Sequence, residues 1–308
     1  MKRFLCGLAG AAASLFMLAP ASAQDKMIAR EVTDGVVMMQ NDRGSGNAAF
    51  VITPDGVLVF DSEITVVDQV LAEIRKRTDK PVRYFVISHT GADHATGAWG
   101  YRQDRPVFIA SKRQMHDLYM QEKAEFEERK ARNPQLADKE LVHPDIGFEG
   151  SMTLQFGGLT FVLTEEGHGH STSDVTVFIP QKRVMLMGDL TSSEIHPGQS
   201  ESGNVFFAST QGWIASLDRV IARRLPVDTY VPGHGPAHVG RGVTDLEEQR
   251  QYFISLRDEV SKMVKGGATL DAILKDFVVP KDFEHYTRKQ RLQNFLKLFY
   301  FQLIERGY

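Results

Sequence analysis

Residues 86–100 read VISHTGADHATGAWG. An apolar run enters a short turn that carries His89, Asp93 and His94, and Gly91 stands where a third histidine of such a cluster is expected. Neutral imidazoles and carboxylates are the ligands zinc or iron accepts when no thiolate is at hand. The stretch therefore poses a choice between a complete metal site, one that has lost a ligand, and no site at all.

Three further stretches share its design: EEGHGHSTSD (165–174), VMLMGDL (184–190) and YVPGHGP (230–236). In each, an apolar run ends in a histidine or an aspartate beside glycine or other small residues. Strand ends of a layered α/β protein are where side chains from separate segments converge, so these residues are expected in one cleft. A single histidine of this kind is more often structural than a ligand. Four such ends in a row are hard to produce by packing, because a buried polar group without a partner costs on the order of 1–3 kcal/mol.

The surrounding sequence alternates strands and helices. NAAFVITPDGVLVFDS (47–62) places two apolar runs around Pro54-Asp55-Gly56, which is hairpin chemistry. Val67, Val70, Leu71 and Ile74 recur at helical spacing, and Asp79-Lys80-Pro81 stops that helix before the strand VRYFVISH. Further strands are predicted at LTFVLTEE, VTVFIP, VMLMGD and DTYVPGH, with a helix through Ile214, Leu217, Val220 and Ile221. The charged stretch 111–140 reads as a solvated surface helix ending at Asn133-Pro134. Its alternative is a lid with Met115, Tyr119 and Met120 facing a pocket. Phe206, Phe207 and Trp213 read first as core and second as a stacking surface for a substrate. The tail from about 243 to 308 carries helical patterns such as FLKLFYFQLI, expected to pack on the core. No repeat or linker interrupts the chain, so 24–308 is read as one domain.

The first residues, MKRFLCGLAGAAASLFMLAPASAQ, combine Lys2 and Arg3, an apolar run and an Ala-Ser-Ala end. That is the pattern of a cleaved secretion signal over residues 1–23, and it places the mature chain in the periplasm. Removing it takes two positive charges from the 36 basic residues, leaving 34 against 39 acidic and a net of −5. Such a balance argues against a nucleic-acid partner, and with it against nuclease activity. The single cysteine, Cys6, falls inside the signal, so the mature chain has no disulfide and no thiolate ligand. No later apolar stretch reaches the ~20 residues of a membrane span, so no stable membrane insertion is expected.

Taken together, the motifs resemble those of the metallo-β-lactamase-fold superfamily of metal-dependent hydrolases, over roughly residues 30–240. The family's H-x-H-x-D-H motif falls on His89-Thr90-Gly91-Ala92-Asp93-His94. Its later histidine falls on His170, its bridging aspartate on Asp189, and its last histidine, in P-G-H-G, on His234. The resemblance implies an α/β fold, a four-layer αββα sandwich with a C-terminal helical extension. It also implies a dinuclear site in which His89, His170 and the residue at 91 hold one metal, Asp93, His94 and His234 hold the other, and Asp189 bridges. Gly91 departs from this pattern and has nothing to coordinate with. One expectation is a mononuclear site on Asp93, His94, Asp189 and His234. Another is a substitute ligand, first His168, which sits two residues before His170, and then His116 or His196. A third is a degenerate site.

The cofactor expected is zinc, one or two ions, with iron as the alternative. A metal would supply hydroxide at neutral pH and polarise a carbonyl. Asp93 is the candidate catalytic proton carrier, and Asp61, Ser171 and Thr172 are candidate supports for the ligands, each readable instead as a turn residue. The leading expectation is an exported hydrolase that cleaves a small-molecule carbonyl substrate: a β-lactam, a lactone or an ester. The alternatives are a non-hydrolytic periplasmic binding or accessory protein and an iron-dependent oxygenase.

Overall fold

A computed structural model describes residues 25–306 except 199, 200, 203, 204 and 207. The expected secretion signal and Phe207 lie outside the described residues, as does the side chain of Phe206.

The first sheet takes its strands in chain order: β1 (Met27–Thr33), β2 (Val36–Asn41), β3 (Ala48–Thr53), β4 (Gly56–Phe60), β5 (Val82–Val86), β6 (Val107–Ser111) and β7 (Ile146–Phe148). Neighbours are antiparallel through β4 and parallel from there on. The predicted hairpin is β3–β4, with Thr53 opposite Gly56. The later strands are β8 (Ser151–Phe156), β9 (Leu159–Gly167), β10 (Asp174–Ile179), β11 (Val184–Ser192), a short ribbon of β12 (Glu201–Ser202) and β13 (Val205–Phe206), and β14 (Thr229–His234). The second sheet is ordered β14-β11-β10-β9-β8, with β11 and β14 parallel and the other neighbours antiparallel.

Successive residues of a strand point to opposite faces, and both faces of the central strands are apolar. Val57 and Val59 of β4 therefore enter one cluster while Leu58 and Phe60 enter another. The second of these fills the space between the sheets, where Met38, Leu58 and Ile109 meet Phe161, Val177 and Leu186.

The helices are α1 (Val67–Arg77), α2 (Ala92–Ala95), α3 (Lys112–Asp117), α4 (Lys123–Arg132), α5 (Thr210–Ala222), α6 (Thr244–Lys265), α7 (Leu270–Asp276) and α8 (Lys289–Arg306). Val67, Val70 and Ile74 of α1 pack on the outer face of the first sheet. Residues of α5 to α8, among them Trp213, Leu256, Ile273 and Phe295, cover the outer face of the second. The result is the αββα sandwich, with the C-terminal helices built into its last layer. No helix among the described residues is long and apolar enough to cross a membrane.

The charged stretch is two helices. Ser111 and Gln114 cap α3 reciprocally, with Ser111 Oγ accepting from the Gln114 amide at 3.1 Å and Gln114 Oε1 accepting from the Ser111 amide at 2.9 Å. A π-helical turn over Leu118–Glu122 leads into α4, which ends before Asn133-Pro134. Phe126 pins α4 to the body beside Ile64 and Leu136. The lid version of the reading chose the wrong residues. Tyr119 and Met120 are exposed, and Met115 packs against the first sheet's outer cluster.

Candidate metal centre

The four strand ends converge. His89 follows β5, Asp93 and His94 sit on the turn that becomes α2, His170 follows β9, Asp189 lies within β11, and His234 ends β14. Their ligand atoms form three groups whose members all lie within 4.8 Å: His89 with Asp93 and His94, His89 with His170 and Asp189, and His94 with Asp189 and His234. Asp189 Oδ1 stands 3.1 Å from His94 Nε2, and its Oδ2 stands 3.0 Å from His234 Nε2 and 3.4 Å from His170 Nε2. Asp93 is more open, 3.6 Å from His234 Nε2 and 3.8 Å from His94 Nε2.

Three of the rings are held from behind. His94 Nδ1 lies 3.0 Å from Asp61 Oδ2, His89 Nδ1 lies 2.9 Å from Ser88 Oγ, and His234 Nδ1 lies 3.1 Å from the Gly44 carbonyl. A far nitrogen fixed in this way sets the tautomer and turns Nε2 toward the centre. Asp61 adopts φ 59°, a left-handed conformation uncommon outside glycine, which brings its carboxylate between the Ser88 amide and His94.

The donor set fits a metal. His94 Nε2 and Asp189 Oδ1 are buried and, though 3.1 Å apart, lack a well-formed hydrogen bond, a costly arrangement that a cation would relieve. Burial presses His89 down to about 4 and His170 down to about 3, so both are neutral donors near pH 7. Burial also opposes ionisation of Asp189 and Asp93, but the surrounding imidazoles reverse this. Asp189 is held well below the carboxylate range and Asp93 at about 2. Burial works against a charged His94 too, yet Asp189, Asp93 and Asp61 raise it well above its usual value.

Gly91 lies against the His89 ring, and a Cβ there would fall 2.4 Å from His89 Nε2.

His168 is placed elsewhere. It is exposed and belongs to none of the three groups. The strand alternation expected to align it with His170 ends at Gly167, which turns the chain at φ 90°. His116 is an exposed residue of α3 beside Asp117, and His196 is buried against the Tyr252 hydroxyl at 2.7 Å. Ser171 and Thr172 serve the turn. The Ser171 amide and hydroxyl donate to Asp174 Oδ1 at 3.0 and 2.7 Å, and Thr172 donates to Asp117. Burial pushes Asp174 up to about 7. Trp213 is core: its indole donates to the Leu190 carbonyl at 3.0 Å, and its ring lies beneath His170 with centroids 5.2 Å apart.

A cavity of about 360 Å³ opens over the cluster. Beyond the ligand residues it is lined by Glu122, Glu125 and Arg129 from the charged segment and by Arg291 and Asn294 of α8. Sequence reasoning missed all five, along with Ser88 and Asp174. Burial, with Glu125 next in effect, pushes Glu122 up to about 7.

The family described as Metallo-beta-lactamase superfamily matches residues 41–234. A linear primary-alkylsulfatase of a Pseudomonas species is 23% identical over 268 residues, which cover 76% of this chain and 50% of the relative. A metallo-beta-lactamase type 2 of Bacteroides fragilis is 29% identical over 119 residues, 38% of this chain and 45% of the relative. The chain thus spans about half the length of these curated relatives. Among solved structures, the stereoselective inverting sec-alkylsulfatase Pisa1 from Pseudomonas sp. superposes with a TM-score of 0.70 at 18% identity, covering 90% of this chain and 50% of that one. A metallo-beta-lactamase from Pontibacter korlensis gives 0.58 at 18% identity, covering 74% and 99%.

Proposed function

The chain belongs to the metallo-beta-lactamase superfamily, and from that premise we propose that it is a zinc-dependent hydrolase cleaving a small carbonyl substrate: a β-lactam, a lactone or an ester. The observation that carries this reading is the convergence of His94 and His234 Nε2 on the Asp189 carboxylate, with each ring fixed from behind.

His94, Asp189 and His234, with Asp93 at the open side, would hold the first ion. His89, His170 and Asp189 form a second group of three, the number of protein ligands a catalytic zinc needs while leaving one position open. When bound, the metal supplies a nucleophile at neutral pH by lowering the pKa of water to about 7, and a Lewis acid for the substrate oxygen. The chain's own groups do the rest. Ionised Asp93, facing the cavity, accepts a proton. Glu122, which lines the same cavity and is poised near neutrality, is matched to return one to the leaving group.

A second reading, hydrolysis of a sulfate ester, is favoured by the 268-residue alignment with the alkylsulfatase. A panel of β-lactams, lactones, carboxylic esters and alkyl sulfates, incubated with zinc-loaded and with chelator-stripped protein, separates the readings by which bond is cut. Turnover that survives metal stripping, or that survives Asp189→Ala, refutes the metal mechanism. The N-terminal pattern of residues 1–23 supports export to the periplasm. Recovery of the full-length, uncleaved chain from the cytoplasm would refute it.

A further inference from the structure

Arg129 of α4 and Arg291 of α8 reach the metal cavity from elements that contribute none of the candidate ligands. Arg291 also lies beyond the region matched to the family, residues 41–234. Among the described residues, Nε and Nη2 of Arg129 and Nη1 of Arg291 are buried without a hydrogen-bond partner. A guanidinium stays charged at any physiological pH, and burying its donors unpaired costs free energy. Glu122 and Glu125 share the wall with Arg129 yet leave those two nitrogens unsatisfied.

Both arginines are braced. Arg129 follows the buried Phe126 by one helical turn, with its guanidinium carbon 5.8 Å from that ring's centre. Arg291 donates through Nη2 to the Gly44 carbonyl at 3.2 Å, the same oxygen that lies 3.1 Å from His234 Nδ1. One arm of the fork is thus tied to the loop that orients a ligand, and Nη1 of the other arm is left buried without a partner in a residue that lines the cavity.

We propose that Arg129 and Arg291 form an oxyanion subsite that grips a carboxylate or sulfate group of the substrate and so places its scissile bond over the metal cluster. The placement of the scissile bond rests on the hydrolase reading; the anion subsite does not. The planar fork suits either oxyanion, because both present two oxygens to parallel N–H donors. These are specificity-determining residues: on a carbonyl substrate they hold a carboxylate away from the scissile bond, and on a sulfate ester they hold the sulfate that carries it.

The test is calorimetric binding of three unreactive six-carbon probes to the zinc-loaded full chain: hexanesulfonate, hexanoate and the neutral hexanamide. Wild type is expected to bind at least one anion about tenfold or more tighter than the amide, as charge-assisted pairing predicts. The better anion identifies the head group. Arg129→Gln is expected to remove that preference, leaving hexanamide affinity and zinc content unchanged, and Arg291→Gln, which also frees the Gly44 carbonyl behind His234, is expected to remove it when compared at matched zinc content. Arg129→Lys and Arg291→Lys keep the charge but lose the fork, and should fall between. Equal binding of anions and amide by wild type, or anion affinity unchanged in the glutamine variants, overturns the subsite. Turnover is not read here, so a failure of the hydrolysis screen counts against the reaction and leaves this result standing.

Discussion

Asp61 Oδ2 stands 3.0 Å from His94 Nδ1, while its Oδ1 accepts the Ser88 amide at 2.7 Å. One carboxylate thus ties the end of β4 to the turn after β5 and aims His94 at Asp189. Outer partners of this kind are worth about 10–100-fold in metal affinity. Asp61→Ala should lower zinc affinity by that factor in competition with a chromogenic chelator, with the fold intact by circular dichroism. Unchanged affinity would reduce Asp61 to a turn residue.

Gly91→Ala adds one methyl, yet its Cβ would lie 2.4 Å from His89 Nε2 and must displace the ring. The variant should weaken the His89–His170–Asp189 group selectively, lowering the affinity for a second zinc by about tenfold or more, the cost of misaligning a ligand. The first zinc, on His94, Asp189 and His234, should bind as before. Stepwise zinc titration reads both. Equal affinity at both steps would mean that His89 has room to yield.

Trp213 is fully buried between α6, α8 and His170. Trp213→Ala should cost about 3–5 kcal/mol in denaturant unfolding, the usual penalty for an emptied aromatic site, and should loosen His170 as well. A loss below about 1 kcal/mol would show that the layer collapses to fill the space.

His196 is enclosed by Tyr252 and Tyr286, and burial holds it down to about 4. Its unfolded value is about 6.5, so on acidification the unfolded chain takes up the proton first. The stability it contributes is full above about pH 6.5 and is lost as the pH falls toward 4. His196→Gln removes this dependence, so the stability advantage of wild type over the variant should shrink between pH 7 and pH 5. Melting temperatures of both proteins across that range check it, and a pH-independent difference would contradict it.

The strand ends were legible because ligand residue and glycine turn adjoin in the sequence, as at Gly188-Asp189 and Gly233-His234. The layers were legible for a similar reason, since Val57 to Phe60 and Val184 to Met187 are apolar at every position, as strands covered on both faces must be. The cavity wall was not. Glu122, Glu125 and Arg129 sit in a charged run that reads as a solvated face, and the π turn at Leu118–Glu122 that precedes α4 leaves no sequence signature. Arg291 meets His234 only through the carbonyl of Gly44, a relation set by how α8 docks, which no local pattern encodes. His168 failed for a local reason: period-two alternation stops where Gly167 turns the chain.

The central claim is that these strand ends hold a catalytic metal. Its most direct test is metal content per chain by mass spectrometry on the purified protein, before and after reconstitution with zinc and with iron. At least one tightly held zinc, lost in Asp189→Ala, is the predicted result, with a second ion at higher zinc concentration. Iron retained in preference to zinc would move the chemistry toward an oxygenase. No metal under either condition would contradict the account and leave a fold that only binds its ligand.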